Sequence, residues 1–287
     1  MNSKRLVHVV STTAMAFLLP VFLMIAMPAS GSVVAPNLGT AGSFGLLGGT
    51  ISNTGTSVVI GNVGAVTTIT GFPPGIATGT VYGTPSDPTV DAAYEDFLNA
   101  YNTAFSDVST PPTQTVADLT IDRTFVGNNV YKFSSTDVTS TAGIDLTFDA
   151  QGNSSEVFII KVPGDLTIDG PLDFTLENGA LAKNIYWIVG ITATISPSGL
   201  PVTWDGDILA GTSFTMSANT GGSGVLAGTV NGCVFTETAN TLAGETDVNG
   251  CNNPAGTPEP GSSGLLVFGC LLIAFARRKF RSVRRGA

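Results

Sequence analysis

The strongest constraint on the fold is a set of short β-rich runs that are apolar almost without interruption. Val157-Phe-Ile-Ile160 and Ile185-Tyr-Trp-Ile-Val189 lack the alternation of a half-exposed strand. Strands buried on both faces of a parallel sheet read this way. Further runs at Thr67–Thr70, Asp145–Phe148, Leu166–Ile168 and Ile191–Ile195 are separated by Gly, Asn, Asp and Pro. Strands this short and this frequent fit a sandwich, a barrel or a solenoid. Asn-Gly hairpin signals occur at 178–179, 231–232 and 249–250, few for a meander. The uninterrupted runs therefore favour a parallel solenoid.

One helix stands out. Asp87 or Ser86 can cap it, Pro88 suits its first turn, and Asp91, Glu95 and Asp96 follow near its positive end. Val90, Tyr94, Phe97, Tyr101, Ala104 and Val108 recur at steps of three and four, which places them on one stripe. Ser109-Thr-Pro-Pro112 ends the pattern. A lone amphipathic helix among strands has to cover an apolar sheet face, so the aromatic stripe is packing.

Both ends differ from the middle. Residues 1–31 have the parts of a secretory signal: Lys4 and Arg5, the apolar run Ala14 to Met27, then Ala29, Ser30 and Gly31. Residues 257–287 carry Pro258, Glu259 and Pro260, an apolar stretch from Gly264 to Ala276, and a basic end from Arg277 to Arg285. That stretch spans only about 20 Å as a helix, short of a hydrocarbon core of about 30 Å. Between them, residues 32–256 read as one domain.

The charge of the middle excludes several functions. Of the 12 basic residues only Arg123, Lys132, Lys161 and Lys183 lie between the leader and the apolar run of the tail, against all 21 acids, giving 4 − 21 = −17. Phosphate binding needs a basic surface, so nucleic acid is not an expected partner. The only histidine, His8, lies in the leader, which removes Ser-His-Asp chemistry and the commonest zinc ligand. No cofactor or metal is expected, and no enzyme. Carboxylate pairs Asp145/Asp149 and Asp165/Asp169 could in principle serve glycoside hydrolysis, but each sits where a strand gives way to a turn. Cys233 and Cys251, exported into an oxidising setting, are candidate disulfide partners. Charged residues make up just 11% of the chain, so its surface must consist largely of Thr, Ser, Asn and Gly.

The C-terminal segment resembles the PEP-CTERM sorting signal of Gram-negative bacteria in motif, apolar run and basic cluster. The resemblance implies a sorting enzyme of the exosortase type as partner. It also implies an extracellular or cell-surface location, with the tail in the membrane only transiently.

The middle resembles the microbial ice-binding protein family. The match is carried by Phe44-Gly-Leu-Leu47, Thr50-Ile-Ser-Asn-Thr-Gly55, Gly61-Asn-Val-Gly64 and Ile69-Thr-Gly-Phe-Pro-Pro-Gly75. It continues in Val130-Tyr-Lys-Phe133, Leu146-Thr-Phe-Asp149, Asn184-Ile-Tyr-Trp-Ile-Val-Gly190 and Gly206-Asp-Ile-Leu-Ala210. The resemblance implies a mainly β chain: a discontinuous right-handed β-helix of triangular section with one long α-helix alongside. It implies that an ice crystal surface is the partner, met by one flat Thr/Ser-rich face.

The family's Thr-(Ala/Gly)-x-(Thr/Asn) pattern is complete at Thr238-Ala-Asn-Thr241. It is one exchange away at Ser217-Ala-Asn-Thr220 and Thr54-Gly-Thr-Ser57, and it fails after Thr192-Ala-Thr-Ile195. Candidate rows are Thr192 with Thr194, Thr212 with Thr215, and Thr236 with Thr238, joined by Ser217, Thr220 and Thr241. Strands stacked at about 4.7 Å can rank such side chains at a pitch close to the oxygen repeat of ice. Each threonine then offers a hydroxyl and a methyl on a stiff χ1. The rival expectation is a surface adhesin or exopolysaccharide-associated structural protein built on the same solenoid.

Overall fold

A computed structural model describes residues 32–106, 113–196, 201–217 and 226–251. The leader, the sorting segment with Pro258, Glu259 and Pro260, and Thr220 lie outside these residues. The described chain is mainly β with one helix. Its first strands are β1 (Phe44–Asn53), β2 (Val58–Val59), β3 (Asn62–Thr70), β4 (Ile76–Ala77) and β5 (Val81–Tyr82), followed by α1 (Pro88–Ser106). Then come β6 (Gln114–Val116), β7 (Arg123–Val126), β8 (Asn129–Phe133), β9 (Val138–Ser140), β10 (Ile144–Asp149), β11 (Phe158–Val162), β12 (Leu166–Ile168) and β13 (Leu172–Glu177). The last are β14 (Ile185–Val189), β15 (Thr192–Ile195), β16 (Val202–Asp205), β17 (Asp207–Ala210), β18 (Ser213–Ser217), β19 (Leu226–Asn231), β20 (Val234–Thr236), β21 (Ala239–Ala243) and β22 (Glu245–Val248).

From β7 to β19 every strand but β13 pairs in parallel with the strand three places later, as β8 does with β11 and β11 with β14. That interval is the signature of a solenoid with three strands to a turn. The stack has three faces. The first runs β6-β8-β11-β14-β17-β20, the second β9-β12-β15-β18-β21. The third is divided into β7-β10-β13 and a sheet of β16, β19, β22, β2 and β4. The first turn of the chain stacks against the last: β1 pairs β20 at Leu46–Val234 and β21 at Thr50–Ala239, and β3 pairs β1. One long strand thus joins the first two faces.

The interior explains the uninterrupted apolar runs. In β14 every residue is buried. Ile185, Trp187 and Val189 point inward, while Tyr186 and Ile188 belong to a second core outside the sheet. Inside, an aromatic ladder follows the third face, with ring centroids 5.0 Å apart for Phe125 and Phe148, and 5.9 Å for Phe148 and Phe174. Phe174 and Trp204, 5.3 Å apart, carry it across the gap between the two sheets.

The second core is what α1 covers. Val90, Ala93, Phe97, Ala100, Tyr101 and Ala104 are its buried residues, packed on Val130, Ile159, Ile188, Leu209 and Phe235 of the first face. Asp87 caps the helix by accepting the Thr89 N–H at 2.8 Å. Of the expected stripe, Val108 lies outside the described residues. Two tyrosines of the stripe also pin the helix to a corner of the solenoid. Tyr94 Oη donates to the Glu237 carbonyl at 2.6 Å, and Tyr101 Oη reaches the Val189 and Gly190 carbonyls at 3.3 Å. Burial holds both phenols above their ordinary range, Tyr101 at about 12, so they remain donors.

Candidate functional site

The second face is built by strict alternation. In β18, Phe214 and Met216 are buried while Ser213, Thr215 and Ser217 face outward. In β15, Ala193 and Ile195 point in and Thr192 and Thr194 point out. The same inward–outward pattern gives Thr167 on β12, Thr139 on β9, Thr241 on β21 and Ser52 on β1.

Register then ranks these side chains. Thr139 opposes Thr167, Thr167 opposes Thr194, Thr194 opposes Thr215, and Thr215 opposes Thr241. Ser52 continues the row beyond Thr241, and Thr70 beyond Ser52. Seven successive strands therefore each place a hydroxyl residue in one line, spanning about 29 Å at a strand pitch of about 4.8 Å. No register shift interrupts the row from β9 to β21. A parallel second row holds Thr192, Ser213, Ala239, Thr50 and Thr68. Ser196 and Ser217 begin a third, their hydroxyl oxygens 2.8 Å apart.

Hydrogen bonding sharpens the contrast between rows. Thr192 Oγ1 and Ser213 Oγ share a hydrogen bond at 3.2 Å. In the central row, the hydroxyls of Thr139, Thr167, Thr194, Thr215 and Thr241 make no hydrogen bond among the described residues. Their capacity is left for whatever lies outside. At the rim, Asp165 Oδ1 accepts the Thr192 N–H at 2.9 Å, and Asp137 Oδ1 accepts the Asp165 N–H at 3.0 Å. These acids extend the backbone ladder at the edge of the face.

Neither other face has this character. The first is covered by α1. The third has its own threonine row, Thr124, Thr147 and Thr175, but Asp145 opposes Asp173 on one side of it and Asp149 opposes Glu177 on the other. Hydrogen bonds from Asn178 (2.7 Å) and the Gln151 N–H (2.8 Å) hold the Asp149 carboxyl below its ordinary range, so it stays ionised. The separate sheet that completes this face lines up Thr203 and Thr229 with Asp247, Val58 and Ile76, mixing charge with aliphatic surface.

Of the residues singled out in the sequence, Thr192, Thr194, Thr215, Ser217 and Thr241 share the second face. Thr212 and Thr238 sit at the corner leading into it, joined by the Thr238 N–H donating to the Thr212 carbonyl at 2.7 Å. Thr236 requires correction: it closes β20, is fully buried, and cannot meet an external surface. The expected row spacing is corrected with it. Thr215 opposes Thr241 rather than Thr238, because 26 residues separate this pair against 21 between Thr194 and Thr215, while the corner itself keeps its two residues. Thr139, Thr167, Ser52, Thr70, Thr50, Thr68 and Ser213 escaped the sequence reading. For Thr139 and Thr167 the signal was a threonine between two buried residues, Val138-Thr-Ser140 and Leu166-Thr-Ile168, the same pattern as Ala193-Thr-Ile195 and Phe214-Thr-Met216.

Comparison with known proteins agrees with this architecture. Residues 46–248 match the ice-binding-like family. The chain belongs to that family. An ice-binding protein of Nostoc sp. (strain HG1) is 34% identical to it over 255 residues, covering 85% of this chain and 87% of that protein. The ice-binding protein K3-B1 of Typhula ishikariensis is 29% identical over 223 residues, covering 71% and 88%. Among solved structures, the ice-binding protein of the Antarctic ascomycete Antarctomyces psychrotrophicus superposes with a TM-score of 0.65 at 32% identity. It covers 77% of this chain and 100% of that one.

Proposed function

We propose that this ice-binding-like protein adsorbs to ice through the second face, with the row Thr139, Thr167, Thr194, Thr215, Thr241, Ser52 and Thr70 at its centre. The observation that carries the reading is the unbroken register of that row, on the one face that, among the described residues, has neither a covering helix nor a charged side chain on its strands. Hydroxyls fixed at strand pitch can take the place of lattice water molecules, and the methyl beside each excludes liquid water. The side chains are held by β-branching and by packed neighbours, so little ordering entropy is lost on adsorption. The names of the relatives, ice-binding proteins from bacteria and fungi, support the same target.

The three faces and the N-terminal turn stacked on the last support a discontinuous right-handed β-helix of triangular section. We read the protein as a binder and not an enzyme. Asp145 and Asp149 are four residues apart along one strand, and Asp165 and Asp169 flank another. Each pair is about 13 Å apart at strand rise, beyond the roughly 9.5 Å limit for glycosidase carboxylates.

The leader of residues 1–31 and the Pro258-Glu-Pro260 tail support export and retention at the surface of a Gram-negative cell. An exosortase-type enzyme would be the sorting partner there and exopolysaccharide the surrounding matrix. Growth of a single ice crystal in a solution of the protein tests the reading. Facets and arrested growth below the melting point are expected. A rounded crystal growing as in buffer would refute it.

A further inference from the structure

One cluster plays no part in the face. Asp207 opens β17 beside Tyr186, its register partner on β14, and beside Cys233 just ahead of β20. The Cys233 N–H donates to Asp207 Oδ1 at 2.9 Å, while Oδ2 is buried with no hydrogen-bond partner. Cys233 and Cys251 form a disulfide. A carboxylate oxygen of Asp207 and both sulfurs all lie within 4.8 Å of one another. Cys233 and Asp207 are fully buried, whereas Cys251 is partly exposed.

This arrangement dictates the course of reduction. Cys251 is the more exposed partner, so attack by a dithiol reductant falls on its sulfur, forming a new S–S bond there as the Cys233–Cys251 bond breaks. The electron pair leaves on Cys233 Sγ, inside the protein and next to a carboxyl group. A thiolate and a carboxylate cannot both stand ionised there, because neither is hydrated and their charges repel. A proton has to arrive with the electrons.

We propose that Asp207 is the internal proton donor for opening this disulfide. Its carboxylic acid proton passes to Cys233 Sγ as the bond to Cys251 breaks, leaving a thiol and a carboxylate. The second thiolate of the reductant then attacks its own sulfur in the mixed disulfide. The reductant departs as a cyclic disulfide, two electrons poorer, and Cys251 takes its proton from water.

Burial pushes the Asp207 carboxyl up to about 7, partly offset by the Cys233 N–H, so the acid form is present at neutral pH and below. The surrounding groups do not compete for that role. Burial and the neighbouring Asp207 keep the Tyr186 phenol well above its ordinary range and therefore protonated. The N-terminal segment contributes apolar Val33, Leu38 and Ala41 to this outer core. The Tyr101 phenol from α1 is raised by burial and then by Glu237, and Lys161 stands on β11, the neighbour of β14, in register with Ile188. The clasp that ties Cys251 to β20 is thereby made both reducible and proton-coupled.

The test is reduction of the oxidised full chain by dithiothreitol between about pH 5.5 and pH 8.5, followed through alkylation of Cys251 read by peptide mass. Each rate is divided by that for oxidised glutathione in the same buffer, which cancels titration of the reductant. The ratio is expected to hold steady below about pH 7 and then to fall by up to about tenfold per pH unit, with Asp207→Asn slower by about 100-fold at low pH and flat throughout. Parallel profiles for the two proteins would overturn the proposal. So would a flat ratio in the unmutated chain, which decides the matter even if the variant does not fold.

Discussion

Thr194 lies directly beside Thr215 one strand away, and both side chains leave the sheet on the side opposite the core. Their positions are set from inside, because Ala193 opposes Phe214 and Ile195 opposes Met216 in the buried layer. The outward row is therefore as rigid as the packing beneath it.

Thr215→Glu places a long, hydrated charge in the middle of this row. Ice shaping and growth arrest are expected to be lost, while the unfolding free energy changes by no more than about 0.5 kcal/mol, as for other surface substitutions. Thr175→Glu on the third face, also exposed, is expected to retain activity. Crystal morphology together with calorimetric melting checks both.

Phe97→Ala removes the ring through which α1 meets the first face, where Phe97 and Phe235 stand with centroids 5.8 Å apart. A loss of about 3–5 kcal/mol is expected from burial and cavity terms. The measurement is urea unfolding. Below the new midpoint the variant should still shape ice, since the helix and the threonine row lie on different faces.

Gly190→Ala tests the corner that launches β15. A Cβ at this position would meet the Pro163 carbonyl oxygen in the adjacent turn of the backbone. The backbone has to shift to admit it, at a cost of about 1–3 kcal/mol typical of overpacking. Because Thr192 and Thr194 follow directly, weaker ice shaping is expected along with the lower melting temperature.

Stability should also depend on pH through Asp207. Its pKa in the folded protein is about 7 against an ordinary value of 3.8, so the folded state binds the proton more tightly than the unfolded chain. The sign follows: this contribution is fully present below about pH 4, fades as pH rises toward 7, and is gone above it. Its ceiling is about 4 kcal/mol, the free-energy equivalent of the difference. Asp207→Asn cannot ionise, so its stability relative to the unmutated protein should rise between about pH 5 and pH 8. Thermal melting across that window checks it.

Much of the architecture was legible in the sequence because it depends on burial. The unbroken runs at Val157–Ile160 and Ile185–Val189 had to be parallel strands covered on both sides. The helix stripe had to lie on one of the faces. The site was only half legible. Thr192, Thr194, Thr215, Ser217 and Thr241 were singled out and share one face, but which residues lie side by side depends on the length of each whole turn, which no local pattern encodes. Thr236 shows the reason: it looks like its exposed neighbours in composition, yet it closes a strand whose end is buried beneath the corner. Ser52 and Thr70 were hidden for another reason. They reach the row because the first turn of the chain stacks on the last, a contact between residues nearly 190 positions apart, such as Ser52 and Thr241.

The most direct measurement is partition of the protein between liquid and a slowly grown hemisphere of ice, with Thr194, Thr215 and Thr241 intact or all replaced by Glu. Enrichment of the intact protein in the ice is expected, with the triple variant left in the liquid at unchanged melting temperature. Equal exclusion of both from the ice, or equal capture of both, would contradict the assignment of this face.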